Sequence, residues 1–275
     1  MNISTPIGLV VGFGALVLGL VLENGELVSF VKPSAAAIVF GGTIGAALIS
    51  FPGAIMAQLP KRILQTFVHK EESPLAVADT LLRLAERARR EGLLALEEEL
   101  PKIENPLLRK GVMLVVDGTD PELVKSVLSA DMSVSEREEE NVVSLLEAMG
   151  GYAPTMGIIG TVMGLVNVLS KMTDPTHLGE SIAVAFIATF YGISSANLLW
   201  LPLGSKLKKQ AENGRMLYEM ILEGLASIQS GENPRILRER LQPYLPKQRG
   251  DRPEKEQEAD AVQDRVREGF QPSQG

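Results

Sequence analysis

Long uncharged runs, separated by stretches dense in charge, organise this chain more than any short motif does. Residues 1–22, 33–60, 148–170 and 181–205 contain no Asp, Glu, Lys, Arg or His. Each run can supply the roughly 20 apolar residues that carry a helix across a bilayer, so the pattern predicts four membrane spans arranged as two hairpins. Between the hairpins, Leu81, Leu82, Leu84, Ala85 and Ala88 interleave with Arg83, Glu86, Arg87, Arg89 and Arg90, an amphipathic helical pattern. A second helical run follows from Leu93 to Leu100, where Pro101 is expected to stop it. Asp120-Pro121 places a capping carboxylate before a proline at the first helical position and marks another helix start. The charged stretch 136–147 then merges into the apolar run at Ala148, which predicts one long helix entering the membrane.

The expected fold class is all-α: a polytopic membrane protein with four transmembrane helices and an inserted helical cytoplasmic domain. Its expected divisions are a transmembrane hairpin at 1–60, a cytoplasmic helical domain at 61–147, a second hairpin at 148–205 and a cytoplasmic helical extension at 206–245. The tail 246–275 carries few apolar residues and is expected to be disordered.

Charge sets the expected orientation. Of the 27 Lys and Arg, only Lys32 and Lys171 fall in the short connections inside the hairpins, whereas Lys61, Arg62, Lys206, Lys208 and Lys209 follow spans two and four. The positive-inside rule then puts both termini and the region between the hairpins in the cytoplasm. Residues 1–22 have no basic leading region and no small-x-small site after Leu22, so they are expected to be a retained span and not a cleaved signal. A net charge of −7 argues against a nucleic-acid partner. With no cysteine in the chain, disulfide frameworks and thiolate metal sites are excluded. His69 and His177 stand apart, without a nucleophile or metal spacing around them, so the expectation is no enzyme and no tightly bound metal.

Four spans without an Asp, Glu, Lys, Arg or His constrain any ion-moving chemistry. The carrier must be a hydroxyl, a backbone carbonyl or a residue on a partner. Thr161 and Thr189 are the hydroxyls of interest: one lies ten positions before Lys171 and the other nine after Glu180, which puts both at similar mid-membrane depth. A hydroxyl there either satisfies a carbonyl one turn back or replaces part of an ion's water shell. Pro154 and Pro202 lie near the cytoplasmic ends of spans three and four, where each removes a helix hydrogen bond. They are either tolerated membrane prolines or a pair of hinges. Gly8-x-x-x-Gly12, Gly41-x-x-x-Gly45 and Gly160-x-x-x-Gly164 are small-residue faces that predict a closely packed assembly. The glycines around Thr161 do not make a phosphate loop, because the closing Lys-Ser/Thr is absent.

Ala153-Pro154-Thr155-Met156-Gly157-Ile158-Ile159-Gly160-Thr161-Val162-Met163-Gly164-Leu165 resembles the third span of MotA/PomA proteins, the flagellar motor stator subunits. Ala188-Thr189-Phe190-Tyr191-Gly192 and Leu201-Pro202-Leu203 resemble their fourth span. Arg89 to Glu97 resembles the cytoplasmic torque segment, and Gly231-Glu232-Asn233-Pro234 an element that follows the membrane part. The resemblance extends in order to about Leu245 and implies a bacterial inner-membrane protein of the MotA/TolQ/ExbB superfamily, serving motility and chemotaxis. It implies a homopentamer around a dimer of a single-span MotB/PomB-type partner whose aspartate carries Na+ or H+. It further implies rotor contact with the protein FliG through Arg89, Arg90, Glu97 and Glu98, and torque coupling through Pro154 and Pro202. Thr161 and Thr189 then lie on the ion path. A threonine at 161 resembles sodium-driven members, which favours Na+ held transiently there. A TolQ/ExbB-type energiser of envelope transport is the nearest alternative, although the first hairpin speaks against it. A passive membrane scaffold would leave the threonine and proline pairs unexplained.

Overall fold

The computed structural model describes residues 4–68, 72–170 and 178–246. Met1, His69, Lys171, His177 and the tail beyond 246, all of which carried expectations above, lie outside the described residues. All regular structure among the described residues is helical, and four helices are long and apolar enough to cross a membrane. The chain forms two compact units, one of residues 1–71 with 126–215 and the other of 72–125 with 216–275.

In the first unit, α1 (Ser4–Leu22) buries none of its residues and is apolar on every side, as a bilayer-facing helix is. A 3-10 turn at Leu27–Phe30 leads to α2 (Pro33–Ala36), a π-helical turn at Ala37–Gly41 and α3 (Gly42–Ser50). The uncharged run 33–60 is therefore not one helix. Pro52 disfavours helical geometry at the residue before it, and Phe51 takes an extended conformation at φ −125°, ψ 144°. Helix α4 (Gly53–Val68) restarts at once and tolerates Pro60 inside it.

The long helix predicted from the charged-to-apolar merger is present as α7 (Pro121–Ser170), 50 residues in one piece. It begins where Asp120-Pro121 predicted, with the Glu122 amide donating to Asp120 Oδ1 at 2.9 Å. Span four is α8 (Leu178–Ser195), a π-helical turn at Ala196–Trp200 and the start of α9 (Leu201–Gln229). One buried cluster joins Ala47 and Leu59 to Val142, Leu145, Leu146 and Met149 of α7 and Leu203 of α9. A second joins Ala35 and Val39 to Ile187 and Ala188 of α8.

The second unit holds α5 (Pro74–Glu91), α6 (Pro106–Val116), the later turns of α9 and α10 (Pro234–Leu241). The apolar stripe read from the sequence is the face α5 buries: Val77, Ala78, Leu81, Leu84 and Ala85. Leu81 packs where a side chain on Gly224 would sit, its Cδ atoms 2.6 Å from that position. Pro101 does not end the run that starts at Leu93. The run is a 3-10 helix, Leu93–Lys102, with Pro101 in its final turn. Asn233 caps α10 by accepting from the Arg235 amide at 3.1 Å.

Candidate ion site and coupling residues

The hydroxyl pair is brought together by glycine packing between α7 and α8. Gly157, Gly160 and Gly164 recur along one face of α7. A Cβ on Gly157 would lie 2.9 Å from the Ala188 carbonyl oxygen and 3.1 Å from Thr189 Cα. On Gly160 it would meet Ala188 Cβ at 2.6 Å, and on Gly164 Ala185 Cβ at 2.7 Å. Helix α8 answers with its own small residue: a Cβ on Gly192 would come within 2.5 Å of the Ala153 carbonyl oxygen and 3.1 Å of Pro154 Cα. Small residues on both helices let the backbones approach closely. Of the other two glycine faces, only Gly12 meets a neighbour among the described residues, Leu198 at 3.0 Å; a Cβ on Gly8, Gly41 or Gly45 would meet none of them within 4 Å.

Because the backbones are so close, Thr161 and Thr189 are hydrogen bonded through their hydroxyls. Thr161 Oγ1 also lies 2.9 Å from the Ala185 carbonyl on α8 and 3.1 Å from the Gly157 carbonyl one turn back. The carbonyl one turn back is thus within reach of the Thr161 hydroxyl, as one of the two readings expects, and so is a carbonyl of the neighbouring helix. Thr161 Oγ1 is therefore within hydrogen-bond reach of one hydroxyl and two carbonyl oxygens, and a hydroxyl that donates once keeps lone pairs free to accept. Oxygens of this kind suit a hard cation, but none can take up or release a proton at neutral pH. Both threonines are half-buried, and beside them the long side chains of Ile158, Val162, Val166, Phe186 and Phe190 stand exposed. Apolar exposure on that scale calls for cover by lipid or by other chains.

Two features at this site had no sequence signal. The Tyr191 hydroxyl donates to the Phe30 carbonyl and accepts the Lys32 amide at 3.3 Å, tying the turn between the first two spans to α8. The π-helical turn at Ala196–Trp200 lies just before Pro202, and the Leu201 amide there reaches back to the Ala196 carbonyl. That wider turn absorbs the hydrogen bond the proline cannot make. Pro154 stays inside α7 against Gly192, whereas Pro202 is exposed on α9.

Arg89, Arg90, Glu97 and Glu98 all belong to the second unit and are exposed. Arg89 and Glu97 do not share one straight helix, because Gly92 breaks α5 with φ +89°, a conformation that favours glycine. Arg87 spans the break. It pairs with Glu91 at 3.1 Å and with both Glu98 and Glu99, and Glu99 also receives Lys102 Nζ at 2.9 Å. Three carboxylates raise the Arg87 pKa, hydrogen bonding to Glu98 first among the causes. The nearly buried Glu99 carboxyl is held below the ordinary carboxylate range by Lys102 and then by Arg87. Glu98 is thus engaged within the chain, while Arg89, Arg90 and Glu97 point outward without an ion pair among the described residues. The Arg87 cluster was missed in the sequence, although three successive glutamates after a helix break were a sign that a cation must sit nearby.

The family model for MotA/TolQ/ExbB proton channels matches residues 99–220, and that for the N-terminal part of motility protein A matches residues 6–92. Motility protein A of Borreliella burgdorferi is 36% identical over 250 residues, which cover 90% of this chain and 96% of that protein. The solved C. jejuni MotAB structure superposes with a TM-score of 0.84 at 30% identity, covering 92% of this chain and 98% of the other. The flagellar MotAB stator complex of Bacillus subtilis gives a TM-score of 0.80 at 32% identity, covering 88% and 96%.

Proposed function

The chain belongs to the MotA/TolQ/ExbB proton channel family, whose members are ion-channel components, and from that premise we propose how it works in a flagellar stator. Copies of it, five in a ring, surround the single membrane spans of a MotB-type dimer in the bacterial inner membrane. Both termini and the second unit lie in the cytoplasm. The carrier of the ion is an aspartate of the partner, because the uncharged runs of the four spans hold no Asp, Glu, Lys, Arg or His of their own.

The observation that carries this reading is the oxygen cluster of Thr161, Thr189 and the Ala185 and Gly157 carbonyls. It lies on helices whose neighbouring side chains are apolar and exposed. It offers an ion leaving the partner's carboxylate a replacement for lost water, which a sodium ion uses and a proton does not need. Sodium is therefore the favoured coupling ion. As the partner's charge is neutralised and restored, the ring turns, with the Pro154 and Pro202 segments flexing to pass the motion to the cytoplasmic unit. Arg89, Arg90 and Glu97 then engage the rotor protein FliG, and Glu98 supports them through Arg87. The match of residues 6–92 to a motility protein A segment supports this stator over an envelope-transport energiser.

The test is swimming in a stator-deleted host that co-expresses this chain and its single-span partner, across sodium concentrations at fixed pH. Speed that rises with sodium supports the whole reading. Sodium-independent swimming retains the stator and assigns it the proton. No swimming, with the complex present in the membrane, refutes the stator assignment.

A further inference from the structure

Arg89 and Arg90 do not stand alone on their helix. They line one wall of a groove of about 520 Å³ whose opposite wall is α10, with Arg235 and Arg238 facing them and Glu86 and Glu239 at its sides. None of these six side chains forms an ion pair among the described residues. The contrast on the same two helices is clear. Arg87 of α5 is held by three carboxylates, and Arg240 of α10 by Glu223 at 2.6 Å and Glu232 at 2.9 Å. Four guanidinium groups converging with only two carboxylates between them repel one another, and an anionic surface from outside would relieve that repulsion. Arginine also matches carboxylates through paired N–H donors, so such a partner would be held in register as well as by charge.

We propose that the α5–α10 groove receives an acidic surface of the rotor, and that Arg235 and Arg238 complete a rotor contact that Arg89 and Arg90 begin. The proposal rests on the stator reading and extends it to a helix that reading leaves without a role. Glu86 and Glu239 favour a protein surface over a compact polyanion, because they repel phosphate yet tolerate carboxylates interspersed with a basic side chain. The groove thereby explains the placing of α10, whose Asn233 cap and buried Leu237 and Leu241 present the two arginines toward α5.

The experiment uses the full complex in a stator-deleted host and reads stall torque on tethered beads, ion flux through the complex and its amount in the membrane. The double variant Arg235→Glu/Arg238→Glu is expected to lower stall torque about fivefold or more while flux and membrane level stay at the wild-type values, as loss of a charged rim contact predicts. Glutamate at 235 sits in the first turn of α10, where negative charge favours the helix, whereas at 238 it sits in the last turn; Arg235→Glu alone, expected to lower torque in the same direction, therefore separates lost contact from a weakened helix. Arg235→Lys/Arg238→Lys is expected to keep at least about half the torque, because the charge remains. Changing acidic surface residues of FliG to lysine is expected to restore torque to the glutamate variant. Wild-type torque in the glutamate variant overturns the proposal. So does equal loss in the lysine variant, a fall in flux alongside torque, or failure of every FliG charge reversal to rescue, the last pointing to a phosphate-bearing ligand. If the wild-type chain drives no rotation, the stator reading itself falls and takes the proposal with it.

Discussion

Replacing Gly192 by alanine tests whether close packing of α7 and α8 is what creates the oxygen cluster. The new Cβ would lie 2.5 Å from the Ala153 carbonyl oxygen and 3.1 Å from Pro154 Cα, both of them backbone atoms that no rotamer change can clear. Ordinary contact begins at 3.4 Å, so the helices must separate by about 0.9 Å at this level. Carried along a rigid α8, that displacement stretches the Thr161–Ala185 hydrogen bond from 2.9 Å to about 3.8 Å, beyond bonding range. Overpacking and the lost bond together cost about 2–4 kcal/mol. The expected outcome is a lower Tm for the detergent-purified complex, with reduced torque. Gly214→Ala is the control. Its Cβ meets nothing within 4 Å on exposed α9, so it should leave torque unchanged and add up to about 1 kcal/mol of helix stability. Wild-type Tm and torque in Gly192→Ala would refute the packing argument.

Three further outcomes can be checked separately. Thr161→Ala removes one oxygen from the cluster and should raise the sodium concentration needed for half-maximal swimming by about tenfold, the effect of roughly 1.4 kcal/mol of lost ligation; an unchanged sodium response takes Thr161 off the ion path. Glu97→Lys reverses an exposed, unpaired charge and should lower torque while the complex assembles at the wild-type level, judged by bead assay and immunoblot; normal torque removes Glu97 from the rotor contact. Glu99 has a depressed folded-state pKa, so its contribution is complete above the ordinary carboxylate range and is lost as pH falls through that lower value. Arg87→Ala should therefore weaken the 93–102 segment at neutral pH and narrow the gap to wild type on acidification, measured by hydrogen exchange of the intact complex.

Charge segregation made the membrane helices legible, because a bilayer penalises every ionisable group in the same way wherever the chain crosses it. The long α7 and the Asp120 cap were legible for a similar reason: both follow from neighbours along the chain. Pairing of Thr161 with Thr189 was only half visible. Their depth could be counted from the hairpin ends, but contact depends on Gly157 and Gly192 meeting backbone from another helix, which no local pattern states. The break at Phe51 had a signal in Pro52 that the uninterrupted apolar run concealed. Pro101 misled in the opposite direction, since a 3-10 helix accommodates a proline near its end where an α-helix would not. The Arg87 cluster lay hidden because its members are separated by Gly92, and only the turn that glycine permits folds Glu98 and Glu99 back onto α5.

The unbroken course of α7 makes it a lever. From Thr161 back to Ser126 the helix runs 35 residues, about 52 Å at 1.5 Å per residue. If the helix stays straight, a one-degree tilt about Thr161 sweeps its far end through roughly 0.9 Å, from that same length. Small adjustments around a pair of hydroxyls therefore need no chain of intermediate rearrangements to become motion on the scale of a side-chain contact. A hinge at Pro154 would set the fulcrum: seven residues from Thr161, it leaves most of the rod on the far side, where reach is gained at the expense of force.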